Sequence, residues 1–257
     1  MSTVQTSIEN RIAIIRINRP EQLNALSIQV LTDLENAFKA VELNDEVGVL
    51  ILTGKGDKAF IAGADIKEMS LMSSEDAYKF SQLGNRITLM MDNYPKPIIG
   101  AINGYALGGG CELAMACHIR IASDNALFGQ PESGLGLIPG FGGTQRLPRI
   151  VGLSNAYKIL LSGISINAQK AKEIGLISDI YKKEDLINEA IKCANQINSK
   201  SPFSSKMIIE LVNKGISLNL EDALKLESDY FKKIFQNKNK NIGISAFLNK
   251  KTPIFKD

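Results

Sequence analysis

The sequence has a single histidine, His118, and only three cysteines, Cys111, Cys117 and Cys193, with no CxxC pair among them. From Cys111 to His118 is about 10 Å along a helix at about 1.5 Å per residue, too far for a proton relay. Serine–histidine chemistry is equally poorly supported by one imidazole. Cys111, Cys117 and His118 also lack a second ligand pair elsewhere, which argues against a metal centre. An odd cysteine count of this kind reads as reduced thiols. The opening MSTVQTSIENR has no apolar core of a signal peptide, and no apolar run approaches membrane-spanning length. The expectation is therefore a soluble cytoplasmic protein with no membrane partner. Thirty basic against 27 acidic residues leave a formal charge of only +3, too small and too scattered for a nucleic-acid partner. The sharpest basic run, KKTPIFK near the C-terminus, reads as a solvated helix end.

What is present is an ordinary globular composition, 44% hydrophobic and 22% charged over 257 residues. A chain of that size buries roughly 70–75% of its unfolded surface and needs no staples. VQTSIENRIAIIRIN reads as two short strands turning at Glu9-Asn10, the second apolar nearly throughout, as in a strand covered on both faces. The segment Ile28–Glu42 carries helical spacing. VGVLILTG and KPIIGAING read as buried strands, and AFIAGAD as a short strand ending in glycine. Asp65 with Glu68 three residues on forms a capping-box pattern. A further helix is expected over Ser73–Tyr94, stopped by Pro95 and Pro97. HIRIASDNALFG suggests a β pair turning at Asp124-Asn125. From Gly142 onward helical spacing dominates, and the residues from about Ser199 read as helices only. Alternating strands and helices argue for a mainly parallel α/β core in residues 1–198. Residues 199–257 read as a helical appendage that packs on something, such as a partner subunit.

The most informative stretch is GYALGGGCELAMAC, where Gly108–Gly110 precede Glu112 in an otherwise apolar segment. A Walker A loop needs Lys-Ser/Thr after its last glycine, and Cys111-Glu112 stands there instead. The dinucleotide pattern GxGxxG is also absent, since GFGGTQ ends in glutamine. Two readings remain: a tight strand–helix junction, or a helix start whose free N–H groups hold a developing oxyanion. Glu112 favours the second, because carboxylates are rarely buried among apolar neighbours without a task. Glu132, in FGQPESGLGLIPGFGG, is a second carboxylate in a glycine-rich apolar stretch; it reads as a turn cap or as a partner to Glu112. Two glutamates close in space hold a water between them and raise each other's proton affinity. That is equipment for adding or removing water across a double bond.

FIAGADIKEM, KPIIGAINGYALGGGCELAMAC and RIASDNALFGQPESGLGLIPGFGGTQRLPR together resemble the crotonase (enoyl-CoA hydratase/isomerase) superfamily, and the terminal NRPEQLNAL and SAFLNKKTPIF extend the likeness over nearly the whole chain. The resemblance implies an α/β fold, a spiral of ββα repeats with an all-helical C-terminal region. It implies an oxyanion hole from the N–H groups of Ala64 and Gly109, and a catalytic pair in Glu112 and Glu132. Gly140 matches a glycine near the catalytic water, and Asp65, Ile66 and Lys67 fall where the family follows coenzyme A. Phe231 and Lys250 fall where it often reaches the CoA of a neighbouring subunit. The implied activity is reversible hydration of a short trans-2-enoyl-CoA, with an acyl-CoA thioester as partner and no cofactor beyond the substrate's own coenzyme A. A homotrimer or a homohexamer built as a dimer of trimers is also implied. The rivals are an enoyl-CoA isomerase or other acyl-CoA reaction on the same scaffold, and a non-catalytic acyl-CoA-binding subunit. Two positions depart from the family pattern: His118, where aspartate is common, and Ile242, where an acidic residue is common.

Overall fold

The computed structural model describes residues 2–255, so Lys256 of the basic run lies outside them. The chain opens with β1 (Val4–Glu9) and β2 (Ile12–Ile17), an antiparallel hairpin. Its two-residue turn puts Asn10 and Arg11 at positive φ, the geometry that matches the twist of flanking strands. Helix α1 (Ile28–Glu42) begins where the Ser27 hydroxyl accepts the Val30 N–H. Its apolar positions Leu31, Leu34, Phe38 and Val41 are buried, as their three-and-four spacing requires.

The chain then turns three times with the same plan. Strand β3 (Val49–Gly54) is followed by β4 (Ala59–Ile61) and the helices α2 (Ile66–Met69) and α3 (Ser74–Asp92). Strand β5 (Ile98–Ile102) is followed by β6 (Tyr105–Leu107) and α4 (Gly109–Ala116). Strand β7 (Ile119–Ser123) is followed by β8 (Leu127–Gly129), a 3-10 turn over Pro131–Leu135, and the helices α5 (Gly143–Val151) and α6 (Leu153–Ser162). The first strand of each turn enters a six-stranded sheet of order β1-β2-β3-β5-β7-β10, and the second enters a four-stranded sheet of order β4-β6-β8-β9. Apart from β1 in the first and β9 in the second, the strands run parallel. This is the ββα spiral.

Three sequence expectations need correction. Strands β7 and β8 are adjacent along the chain but do not pair. β7 lies between β5 and β10, and β8 between β6 and β9. The Asp124-Asn125 turn is a corner between two sheets, closed by the Ala126 N–H on the Ser123 carbonyl. Within the stretch read as helical, β9 (Ser165–Asn167) and β10 (Asp179–Tyr181) are three-residue strands on either side of α7 (Ala168–Glu173). Their partners lie far away in sequence, so no local alternation marks them. Asp65 does cap α2 through the Glu68 N–H, but Glu68 turns its carboxylate to the Ile28 N–H. Only half of that capping box closes. The Ser73–Asp76 box on α3 closes fully.

The central strands are largely apolar because both faces are covered. Val49 and Ile51 point with Ile99, Ala101 and Ile121 toward α8 (Leu186–Asn198), which offers Leu186, Ala190 and Ala194. Leu50 and Leu52 point the other way, into the larger core with Leu34, Phe38 and Phe60. Beyond Ser199 come α9 (Pro202–Gly215), α10 (Leu220–Phe235) and α11 (Lys238–Leu248). Among the described residues, no helix is long and apolar enough to cross a membrane.

Candidate active site

Strand β6 hands over to α4 at Gly108, whose φ of +49° and ψ of −124° are open to glycine and strained for other residues. A Cβ at Gly108 would also stand 2.6 Å from Glu132 Oε1. Two residues on, a Cβ at Gly110 would collide with the Ile61 carbonyl of β4. The glycines thus let α4 start inside the core, directly against another backbone. Every residue of α4 is buried, Glu112 included at 1% exposure.

Burying that carboxylate requires donors, and the loop before α5 supplies them. The N–H groups of Phe141 and Gly143 both donate to Glu112 Oε1, at 2.7 and 2.6 Å. The loop is itself held by α3. Ser81 Oγ and Asn85 Nδ2 donate to the Gly140 carbonyl at 2.6 and 3.1 Å, and Thr88 Oγ1 donates to the Phe141 carbonyl at 3.2 Å. Arg146 also donates to the Phe141 carbonyl and pairs with Asp92. The Phe141 ring packs on Phe80 at 5.1 Å between centroids. Burial raises the proton affinity of Glu112 and the neighbouring Glu132 adds to it, against the two N–H bonds and Arg146; the result is a pKa pushed up to about 7.

Glu132 sits in the 3-10 turn after β8, and burial raises its pKa as well. Gln130, fully buried just before it, donates from its amide nitrogen to both Glu132 oxygens at 3.2 and 3.1 Å in the orientation that satisfies both groups. Ala64 follows β4 in a single parallel bridge to Leu26. That bridge is made by the Leu26 N–H on the Gly63 carbonyl and the Asp65 N–H on the Leu26 carbonyl, so it bypasses the N–H of Ala64. The N–H of Gly109, first in its helix, has no intrahelical acceptor. Neither N–H has a protein acceptor among the described residues.

One cavity of about 380 Å³ gathers these groups: Ala64, Ile66, Gly109, Glu112, Glu132 and Gly140 all line it, with a mostly apolar wall that includes Met69, Phe80 and Phe141 and also carries Ser81. Other residues singled out in the sequence lie elsewhere. The Asp65 carboxylate is engaged as the α2 cap and by Arg19 at 3.1 Å, and Lys67 is exposed. Phe231 is on α10 beside α9, and Lys250 follows α11 on the surface. Neither lines the cavity of its own chain. Cys111 is buried, and that burial pushes its thiol up to about 12, which leaves it protonated rather than nucleophilic. His118, one of the two departures from the family pattern, makes two polar contacts of its own. Its Nδ1 accepts the Ile98 N–H at 2.9 Å, so Nε2 carries the proton toward the Asp92 carbonyl at 3.2 Å. Burial lowers its pKa and keeps it neutral. Ile242 is half-buried on α11.

Sequence reasoning missed Gln130 and the α3 stripe Ser81, Asn85 and Thr88. The stripe had a faint signal, polar residues at spacings of four and three on one helix face. Gln130 had only its place between a buried strand and Pro131-Glu132.

Two unclaimed amides and two carboxylates of raised proton affinity line one mostly apolar cavity, an arrangement chemically suited to proton transfer beside a developing oxyanion. The chain belongs to the enoyl-CoA hydratase/isomerase family, whose model matches residues 7–257. It is 43% identical over 243 residues to the short-chain-enoyl-CoA hydratase of Clostridium acetobutylicum, covering 95% of this chain and 93% of that one. It is also 43% identical over 247 residues to the crotonyl-CoA hydratase of Syntrophomonas wolfei, covering 96% and 95%. The crystal structure of an enoyl-CoA hydratase from Bacillus anthracis superposes with a TM-score of 0.96 at 37% identity, covering 99% of both chains.

Proposed function

We propose that this chain reversibly adds water to a short trans-2-enoyl-CoA, such as crotonyl-CoA, giving the 3-hydroxyacyl-CoA. The observation that carries the reading is the meeting of two free N–H groups with Glu112 and Glu132 on one cavity wall. The thioester oxygen takes the N–H groups of Ala64 and Gly109, which stabilise the enolate-like charge as it develops; one such donor is worth about 3–4 kcal/mol. Glu112, as carboxylate, takes a proton from the water whose oxygen bonds to the β-carbon. Glu132, as acid, gives a proton to the α-carbon, so one water is added in total. A pKa near 7 suits Glu112 for this, because it is substantially ionised yet basic at neutral pH. The names of the relatives support the same chemistry, and having both glutamates favours hydration over isomerisation or a non-catalytic role.

The chain's own groups account for each proton moved, and coenzyme A enters as part of the substrate. Ile66 then lies along the substrate. In the same reading, α9 to α11 join three copies into a trimer, alone or paired as a hexamer, and Phe231 and Lys250 approach the CoA bound by a neighbour. The setting is cytoplasmic. The test is purified protein with crotonyl-CoA: the conjugated enoyl absorbance should fall to an equilibrium value, and its persistence would sink the proposal.

A further inference from the structure

The two N–H groups that hold Glu112 belong to peptides whose carbonyls are each doubly bonded on the opposite side. The Gly142 carbonyl, on the peptide carrying the Gly143 N–H, accepts the N–H groups of Gln145 and Arg146 at 3.0 and 2.8 Å. Those bonds belong to the start of α5 and arise with any helix. The Gly140 carbonyl, on the peptide carrying the Phe141 N–H, instead takes two side chains from α3, Ser81 and Asn85. Asn85 Nδ2 also lies 3.4 Å from Ser81 Oγ, so the two donors are linked. Ser81 and Asn85 are four residues apart and therefore share a helix face. A chain of hydrogen bonds polarises along its length, so donors on a carbonyl strengthen the N–H at the other end of that peptide.

We propose that Ser81 and Asn85 are positioning residues that act on Glu112 through the Gly140–Phe141 peptide, aiming its N–H and strengthening its hold on the carboxylate. This deepens the hydratase reading and rests on it for the link to turnover. Thr88 supplies an internal contrast. It extends the same stripe, but it donates to the Phe141 carbonyl, whose peptide N–H belongs to Gly142 and does not reach Glu112. Thr88 Oγ1 also lies 3.1 Å from the Asn85 backbone carbonyl, but it makes no hydrogen bond to the Ser81 or Asn85 side chains or to Gly140, so it anchors the loop outside the relay of side chains. The charged and titratable groups facing Glu112 are Glu132 from the turn after β8, Arg146 from α5 with its partner Asp92 from α3, and Cys111 beside it on α4. Each is left in place by the variants below.

The test is titration of the Glu112 carboxyl, read by carbon NMR of carboxyl-labelled glutamate, with its resonance identified as the one missing from Glu112→Gln. Alanine keeps α3 helical, so Ser81→Ala, Asn85→Ala and their combination are the working variants. A hydrogen bond to a charged group is among the stronger ones in a fold, and each cooperative neighbour strengthens it by roughly 10–30%. Removing one donor should therefore raise the Glu112 midpoint by roughly 0.1–0.7 pH unit, and the double variant should move it about twice as far. Ser81→Thr, which keeps the hydroxyl, should restore the midpoint, and Thr88→Val should leave it unmoved while lowering the melting temperature. An unchanged midpoint in the double variant would overturn the proposal. So would a shift in Thr88→Val as large as that in the double variant, since loop loosening alone would then explain it. The titration needs no turnover, so an inactive wild-type protein would refute the hydratase reading separately.

Discussion

Helices α4 and α10 put their apolar residues to opposite use. All eight residues of α4 are buried, one of them a carboxylate, whereas none of the sixteen residues of α10 is buried. Helix α4 enters the core because Gly110 lets it lie against the Ile61 backbone, and because the 141–143 loop supplies two N–H groups to its buried charge. Helix α10 leaves Leu224, Phe231 and Phe235 exposed, with the Phe231 and Phe235 rings tilted against each other at 4.9 Å between centroids and Lys240 Nζ over the Phe235 ring. The contrast separates two ways of making function from a sequence. One takes a polar group inward at a cost that local backbone donors offset; the other leaves apolar surface exposed, the surface that the proposed trimer would cover.

The comparison breaks most visibly at Gly110. Gly110→Ala would drive a methyl into a β4 carbonyl that has no room to move, and should destabilise the fold by roughly 3 kcal/mol or more. Denaturant unfolding checks this, and wild-type stability in the variant would show that the close approach of α4 to β4 is not needed. Glu112→Gln is next. Hydration should fall by about a hundred- to ten-thousandfold, with CoA thioester binding retained in equilibrium titration. The same variant should be more stable than wild type at alkaline pH. The folded pKa of Glu112 is raised from 4.5 to about 7, so its protonated form stabilises the fold fully below about 4.5. That contribution is lost as pH rises through about 7, and glutamine cannot lose it. The stability gap should open across this window to something on the order of 3 kcal/mol. A gap that stays constant with pH would mean Glu112 is ionised as easily in the fold as in the unfolded chain. The smallest effect is expected on α10. Phe231→Ser should change the stability of a single chain by less than about 0.5 kcal/mol while shifting sedimentation toward smaller assemblies. Unaltered sedimentation would remove α10 from the proposed interface.

How much was legible follows from where each partner lies. Helices α1 and α3 were readable because their apolar spacing, and for α3 the start at Ser73, are local; the Ser27 cap of α1 was not singled out. Strand β3 was readable as doubly covered, since no polar residue interrupts its first four residues, Val49–Leu52. That β7 and β8 belong to different sheets was not readable, because their partners come from other turns of the spiral. Glu112 and Glu132 stood out as carboxylates in apolar, glycine-rich company, and the family resemblance supplied their expected roles. Ser81 and Asn85 did not stand out, because the carbonyl they bond lies 59 and 55 residues away. The engagement of the Asp65 carboxylate by Arg19, 46 residues away, was likewise not legible, because that pairing is made only in the fold.

The central claim, that Glu112 and Glu132 add water across an enoyl thioester, is tested most directly by turnover of crotonyl-CoA in deuterated water enriched in heavy oxygen. The product analysed by mass spectrometry and NMR should carry the heavy oxygen on its β-carbon and one deuterium on its α-carbon, and both labels should fail to appear at comparable rates with Glu112→Gln or Glu132→Gln. A product with a displaced double bond and no solvent oxygen, or full labelling in both variants, would contradict it.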